Sequence, residues 1–228
     1  MSFKQFTSEL NKKERVEGEL IKTVLLSLIT SLIVLSILYY TRFRYIEDFL
    51  PKQGFFLFFA ALSYALIIPT IRQIRAYMQI SCMGGMMVGM STGMIGGFLP
   101  GFFVASTNGM FVGSVFGMTI GIILGIWNGK CCGVMGVMEG IMSGFMGGLM
   151  GAMTAFMLFN DHLKAATIIV FIISAVILIA LNYMIYIEMN KEERKRKESY
   201  LLYIVLTFVL ILITAILMVL GPKSGVFG

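Results

Sequence analysis

Long apolar runs alternate with short polar connections along this chain of 228 residues. The runs cover residues 20–40, about 55–71, about 78–104, 109–127, 132–159, about 165–187 and about 200–220. Each is close to the ~20 residues a helix needs to cross ~30 Å of hydrocarbon. In lipid a backbone amide finds no water, so a spanning segment must pair its own amides within a helix. The pattern predicts an all-α, polytopic helical membrane protein with about seven transmembrane helices. Pro69 is expected to kink or end the second helix, because proline lacks the amide hydrogen and crowds the preceding turn. The third run is longer than one crossing requires, so it should tilt or bend at Pro100.

The middle of the chain differs from its flanks. Glycine recurs every fourth residue in three registers: Gly85 to Gly101, Gly109 to Gly133, and Gly136 to Gly148. In water each interior glycine costs a helix roughly 0.5–1 kcal/mol relative to alanine. In a bilayer the alternative to helix is worse, and small residues at this spacing let two backbones approach closely. Residues 78–159 are therefore predicted to form a glycine-zipper, methionine-rich core of three tightly connected antiparallel helices. Two ordinary helices precede it in 20–77 and two follow in 160–228, after a polar N-terminal segment, 1–19. The packing positions are Gly89, Gly93 and Gly97, then Gly113, Gly117, Gly121 and Gly125, then Gly140, Gly144 and Gly148. A four-residue step overshoots a full turn by about 40°, so the middle register winds round its helix and must serve more than one neighbour. That makes the fourth span the candidate for the centre of the bundle, or for the contact in a homo-oligomer.

Composition agrees, with 58% hydrophobic residues, 13% charged residues and a mean hydropathy of +0.89, far from the mix of a soluble domain. The net charge of +6 is not read as a nucleic-acid footprint, since the basic residues cluster in short connections between apolar runs. Lysine and arginine on alternate sides number twelve against five, richest at 190–199, which puts the N-terminus in the cytosol and the C-terminus outside. With no cleavable signal expected in 1–19, a bacterial cytoplasmic membrane is the expected location. The 3 cysteines do not suggest a disulfide framework.

Candidate chemistry lies in sulfur. Of 19 methionines, 15 fall between 78 and 157, whereas the flanking spans use Leu, Ile and Val. At about 100° per residue, Cys132, Met135, Met142, Met146, Met150, Met153 and Met157 lie within about 60° of Glu139 on the fifth span. This strip is expected to turn inward, towards the sibling helices. Met86, Met90 and Met94 add thioethers on the third span, and Cys82, Cys131 and Cys132 lie together at the predicted cytosolic end. Soft thioether and thiolate donors select Cu(I) over hard cations, and a ladder of weak sites lets an ion move on. Glu139 is a candidate for ion or proton coupling, because a carboxyl within a span is costly. The plain alternatives are that methionine fills gaps beside glycine, that Glu139 reaches the nearby interface, and that His162 is a solvated loop residue.

At motif level these residues resemble the Ctr family of copper transporters. Its MxxxM spacing, GxxxG packing and cytosolic Cys/His end are paralleled by Met86, Met90 and Met94, by Met142, Met146 and Met150, and by Cys82, Cys131 and Cys132. The likeness covers about the middle third of the chain and stops at ligand logic. Ctr proteins have three spans and a methionine-rich extracellular N-terminus, where this chain has seven runs and a charged leader. The resemblance implies transport of Cu(I), delivered to a cytosolic metal acceptor. Two other functions fit the sequence: passage of another ion or small solute using Glu139, and a non-transporting scaffold packed through its glycine faces. No HExxH, Walker A or nucleophile-elbow motif is present, so an enzyme is not expected.

Overall fold

The structure, a computed structural model, describes residues 16–41, 53–77, 81–189 and 200–222. All regular structure there is helical: α1 (Val16–Thr41), α2 (Phe55–Ala76), α3 (Cys82–Asn108), α4 (Met110–Gly129), a 3-10 turn (Lys130–Cys132), α5 (Gly133–Met157), α6 (Leu163–Met189) and α7 (Tyr200–Leu220). Most of the polar leader, the 42–52 connection and the basic 190–199 loop lie outside the described residues. Among the described residues six helical runs are long and apolar enough to cross a membrane, the longest being the 48 residues from Met110 to Met157. These are the helices of an integral membrane protein.

That longest run is not one rod. Gly133 takes φ 68°, a left-handed conformation open to glycine, and there the chain reverses from α4 into α5. Gly109, at φ 109°, makes the equivalent reversal between α3 and α4. The glycine registers then meet pairwise. Gly129 lies on Gly136, Gly125 on Gly140 and Gly121 on Gly144, so α4 and α5 run antiparallel. Gly117 lies on Gly101, and Gly113 on Ala105, so α3 and α4 are antiparallel too. Gly97 meets Gly144 and Gly101 meets Gly148, which sets α3 parallel to α5. A Cβ added to Gly121 would come within 2.8 Å of Gly97 Cα and 2.9 Å of Gly144 Cα. Gly93 allows its own added Cβ only 2.9 Å from the Gly140 carbonyl oxygen. These helices touch backbone to backbone, and larger residues would force them apart.

The glycine faces are thus occupied within one chain. The winding register of α4 does serve two neighbours, α3 and α5. The centre of the bundle is nevertheless α3, not α4. Opposite its glycines α3 carries Ile95, Leu99, Phe102 and Phe103, all buried, and these join a core with Phe56, Tyr64 and Ile68 of α2 and Ile211 of α7. The outer face of α4, with Phe111, Val115 and Ile123, is exposed.

Pro69 does not stop α2, which continues to Ala76. The carbonyl that proline leaves without an amide partner belongs to Ala65, four residues back. It accepts a hydrogen bond from the Ser27 hydroxyl of α1 at 3.2 Å. Towards the same end, Arg72 donates to Thr23 Oγ1 and lies 3.8 Å from the centre of the Tyr200 ring. Gln73 Nε2 donates to the Asn182 carbonyl of α6 at 3.2 Å. At the other end Asn108 Nδ2 donates to the Leu217 carbonyl of α7 at 2.7 Å. The contacts at the Arg72 end tie the ordinary helices to one another, and that of Asn108 ties the glycine trio to α7.

Candidate metal centre

The thiols come together although some fifty residues separate them in sequence. Ser81 caps α3, its Oγ accepting from the Gly84 amide at 3.1 Å, and this sets Cys82 at the first position of the helix. The turn between α4 and α5 brings Cys131 and Cys132 to the same end. Cys132 Sγ donates to the Cys82 carbonyl at 2.6 Å, and Cys131 Sγ to the Asn128 carbonyl at 3.2 Å. Gly85 makes room for both: a Cβ there would lie 3.0 Å from Cys131 Sγ and 3.2 Å from Cys132 Sγ. All three are free thiols, Cys82 and Cys131 exposed and Cys132 half-buried.

Two of these thiols, Cys131 and Cys132, hold their protons tightly. Cys132 is pushed up to about 11, first by its hydrogen bond with the Cys82 thiol and then by desolvation and the neighbouring sulfurs. Cys131 is raised too, chiefly by desolvation, with Cys82 and Glu188 adding repulsion of a thiolate. Glu188, from the last turn of α6, accepts from the Ser81 hydroxyl. Sequence reading missed this carboxylate because it lies at a helix end, where a charge draws no notice.

Beside Ser81 a groove of about 470 Å³ opens between α3 and α6, lined by Met83, Met87, Met184, Tyr183 and Glu188. A second groove of about 250 Å³ between the same two helices carries Met94 and Phe98. Met83, Met87, Met90 and Met94 lie on one side of α3 by helical spacing, and all are exposed. Thioethers thus follow the α3–α6 groove away from the thiol end. Met184 is one of the four methionines outside residues 78–157.

The strip on α5 is placed differently from expectation. Met135, Met138, Met142, Met146, Met150, Met153 and Met157 are exposed, and so is Glu139. They face out of the bundle, not towards the sibling helices. The reason is that α5 packs substantially only on α3 and α4, and does so through Gly136, Gly140, Gly144, Gly147, Gly148 and Gly151. Small residues bring backbones together, so the large ones are left on the other side. His162 is exposed, at φ 47°, 3.9 Å from Asp161.

No protein family matches this chain, and neither a curated protein nor a solved structure is similar to it. Its chemistry therefore has to be argued from the site alone. Among the described residues, no three His, Cys, Asp or Glu side chains form a group that could hold a metal ion. A hard or borderline divalent ion would want such a group. The donors that do converge are thiols backed by thioethers, and they suit a soft cation.

Proposed function

We propose that this protein is a membrane transporter for a soft metal cation, Cu(I) before others, which it takes or delivers at the thiol end. One observation carries this: Cys82 and the Cys131–Cys132 turn, far apart in sequence, meet beside a groove lined by Met83, Met87 and Met184. Cu(I) is the cargo. Thiolates give it a firm site at the mouth, and neutral thioethers along α3 give weaker ones from which it can leave. The route follows the α3–α6 groove, since the interior of the glycine trio has no room even for a methyl group. In this reading the chain crosses seven times, α4 and α5 counting separately. The thiol end then faces the cytosol by the lysine and arginine balance, where a metal acceptor exchanges ligands with it.

Elemental analysis of protein purified with Cu(I) under reducing conditions tests this. Wild type should retain copper, and the Cys82→Ser/Cys132→Ser variant should lose it. Equal copper in both, or none in either, would overturn the proposal. A second reading is a non-transporting assembly protein, favoured by the closed trio and by a methionine face on α5 that no other helix covers among the described residues. Passage of another ion is favoured by Glu139 on that same exposed face, and Glu139→Gln would then impair passage while leaving copper binding intact.

A further inference from the structure

A different crevice, of about 410 Å³, lies where the C-terminal ends of α2 and α4 meet, with Arg75, Tyr77, Trp127, Asn128 and Lys130 in its wall. Asn128 is only 2% exposed, and neither its side-chain oxygen nor its nitrogen has a hydrogen-bond partner among the described residues. A buried donor or acceptor left unpaired destabilises the fold, and here two sit together. Arg75 lies 4.8 Å from the centre of the Trp127 ring, and exposed Lys130 supplies a second cation. Basic residues at helix C-termini also offset the partial negative charge there. That accounts for the cations but not for the buried amide.

We infer that this crevice binds a phosphate ester that also carries a hydroxyl. The phosphate oxygens accept from the Asn128 amide nitrogen while Arg75 and Lys130 neutralise their charge. The ester's hydroxyl donates to Asn128 Oδ1, so the side chain is satisfied at both atoms. Tyr77 and Trp127 give the crevice the amphipathic rings found at headgroup level. Cys131 lines this crevice as well, but the recognition described makes no use of its thiol and does not rest on metal handling. Two sources have this chemistry, the headgroup of a phosphatidylglycerol-type lipid and a soluble ester such as glycerol 3-phosphate.

Trp127 is the only tryptophan, so its fluorescence reads the site directly. The full chain in neutral detergent is titrated with short-chain phosphatidylglycerol, with short-chain phosphatidylcholine, and with glycerol 3-phosphate. A saturable change with phosphatidylglycerol alone identifies a lipid site, and one of equal affinity with glycerol 3-phosphate identifies a soluble ligand. Asn128→Leu and Lys130→Gln should each weaken the response about tenfold or more. Lys130 is exposed, so its variant should fold even if the first does not. A response to phosphatidylcholine equal to that with phosphatidylglycerol, no response to any ligand, or an unchanged response in Lys130→Gln would overturn the inference.

Discussion

At the scale of single residues, the thiol end depends on proton release. A soft cation binds thiolate, so each bound sulfur must first give up its proton. Cys132, pushed up to about 11, is protonated at neutral pH, and Cys131 is raised in the same direction. If the thiols take a metal as proposed, uptake must strengthen as pH rises towards the raised thiol values, by up to about tenfold per pH unit for each proton displaced. Competition with a Cu(I) chelator between pH 6 and about 9 measures this, and an affinity flat across that range would exclude the thiols as ligands. The metal-free protein carries the opposite dependence. Thiols held above their ordinary value stabilise the fold below 9.0, and that contribution is lost as pH climbs through about 11. Replacing Cys132 by serine should remove most of this alkaline sensitivity together with the proposed metal site, and thermal unfolding at the two ends of that range would reveal the loss of sensitivity.

At the scale of elements, the glycine ladder sorts its members by what each faces. A Cβ on Gly96 would meet only the Leu124 Cδ1 methyl at 2.8 Å, the movable tip of a side chain. One on Gly125 would meet the Gly140 backbone itself, which cannot yield without parting α4 from α5. Gly96→Ala should be near neutral, its propensity gain of about 1 kcal/mol offsetting the local crowding. Gly125→Ala should destabilise the protein by about 1–3 kcal/mol as an overpacked contact; unfolding titrations in mixed micelles would separate the two. Ser27→Ala should cost about 1 kcal/mol, because it orphans the Ala65 carbonyl opposite Pro69. This contrast also marks what could be read from sequence. The four-residue spacing announced close helix packing, and the short connections gave the alternation of α3, α4 and α5. The spacing could not say which neighbour each glycine meets, nor that Ser27, on another helix, carries Pro69 past its missing bond. Projection placed the α5 methionines correctly on one side with Glu139, opposite the glycines. It could not tell inside from outside, because in a bilayer both the packed face and the lipid face are apolar. The thiol cluster was foreseeable as three cysteines at one predicted end, whereas Met184 and Glu188 come from a helix whose pattern looks ordinary.

At the scale of the whole molecule, two sulfur surfaces compete as the route if the protein carries a soft cation as proposed. One runs along the α3–α6 groove from the thiols past Met83 and Met87 to Met94. The other is the exposed strip of α5, from Met135 to Met157. Only the first is shared by two helices of one chain and touches residues around the thiol end, through Ser81 and Glu188. A cation on the second would have lipid on its open side, where the cost of charge is several kcal/mol, unless another copy of the chain covered it. Leucine keeps the volume of methionine and removes the donor, so paired substitutions separate the routes with little change in packing. In vesicles loaded with a Cu(I) indicator, Met87→Leu/Met184→Leu should slow entry at least about tenfold, and Met142→Leu/Met146→Leu should leave it within about twofold. The reverse ranking would move the pathway to α5. It would then require copies of the chain to meet across that face, with Glu139 lying among the thioethers at the contact, and cross-linking between Met146→Cys variants would capture them as dimers or larger rings.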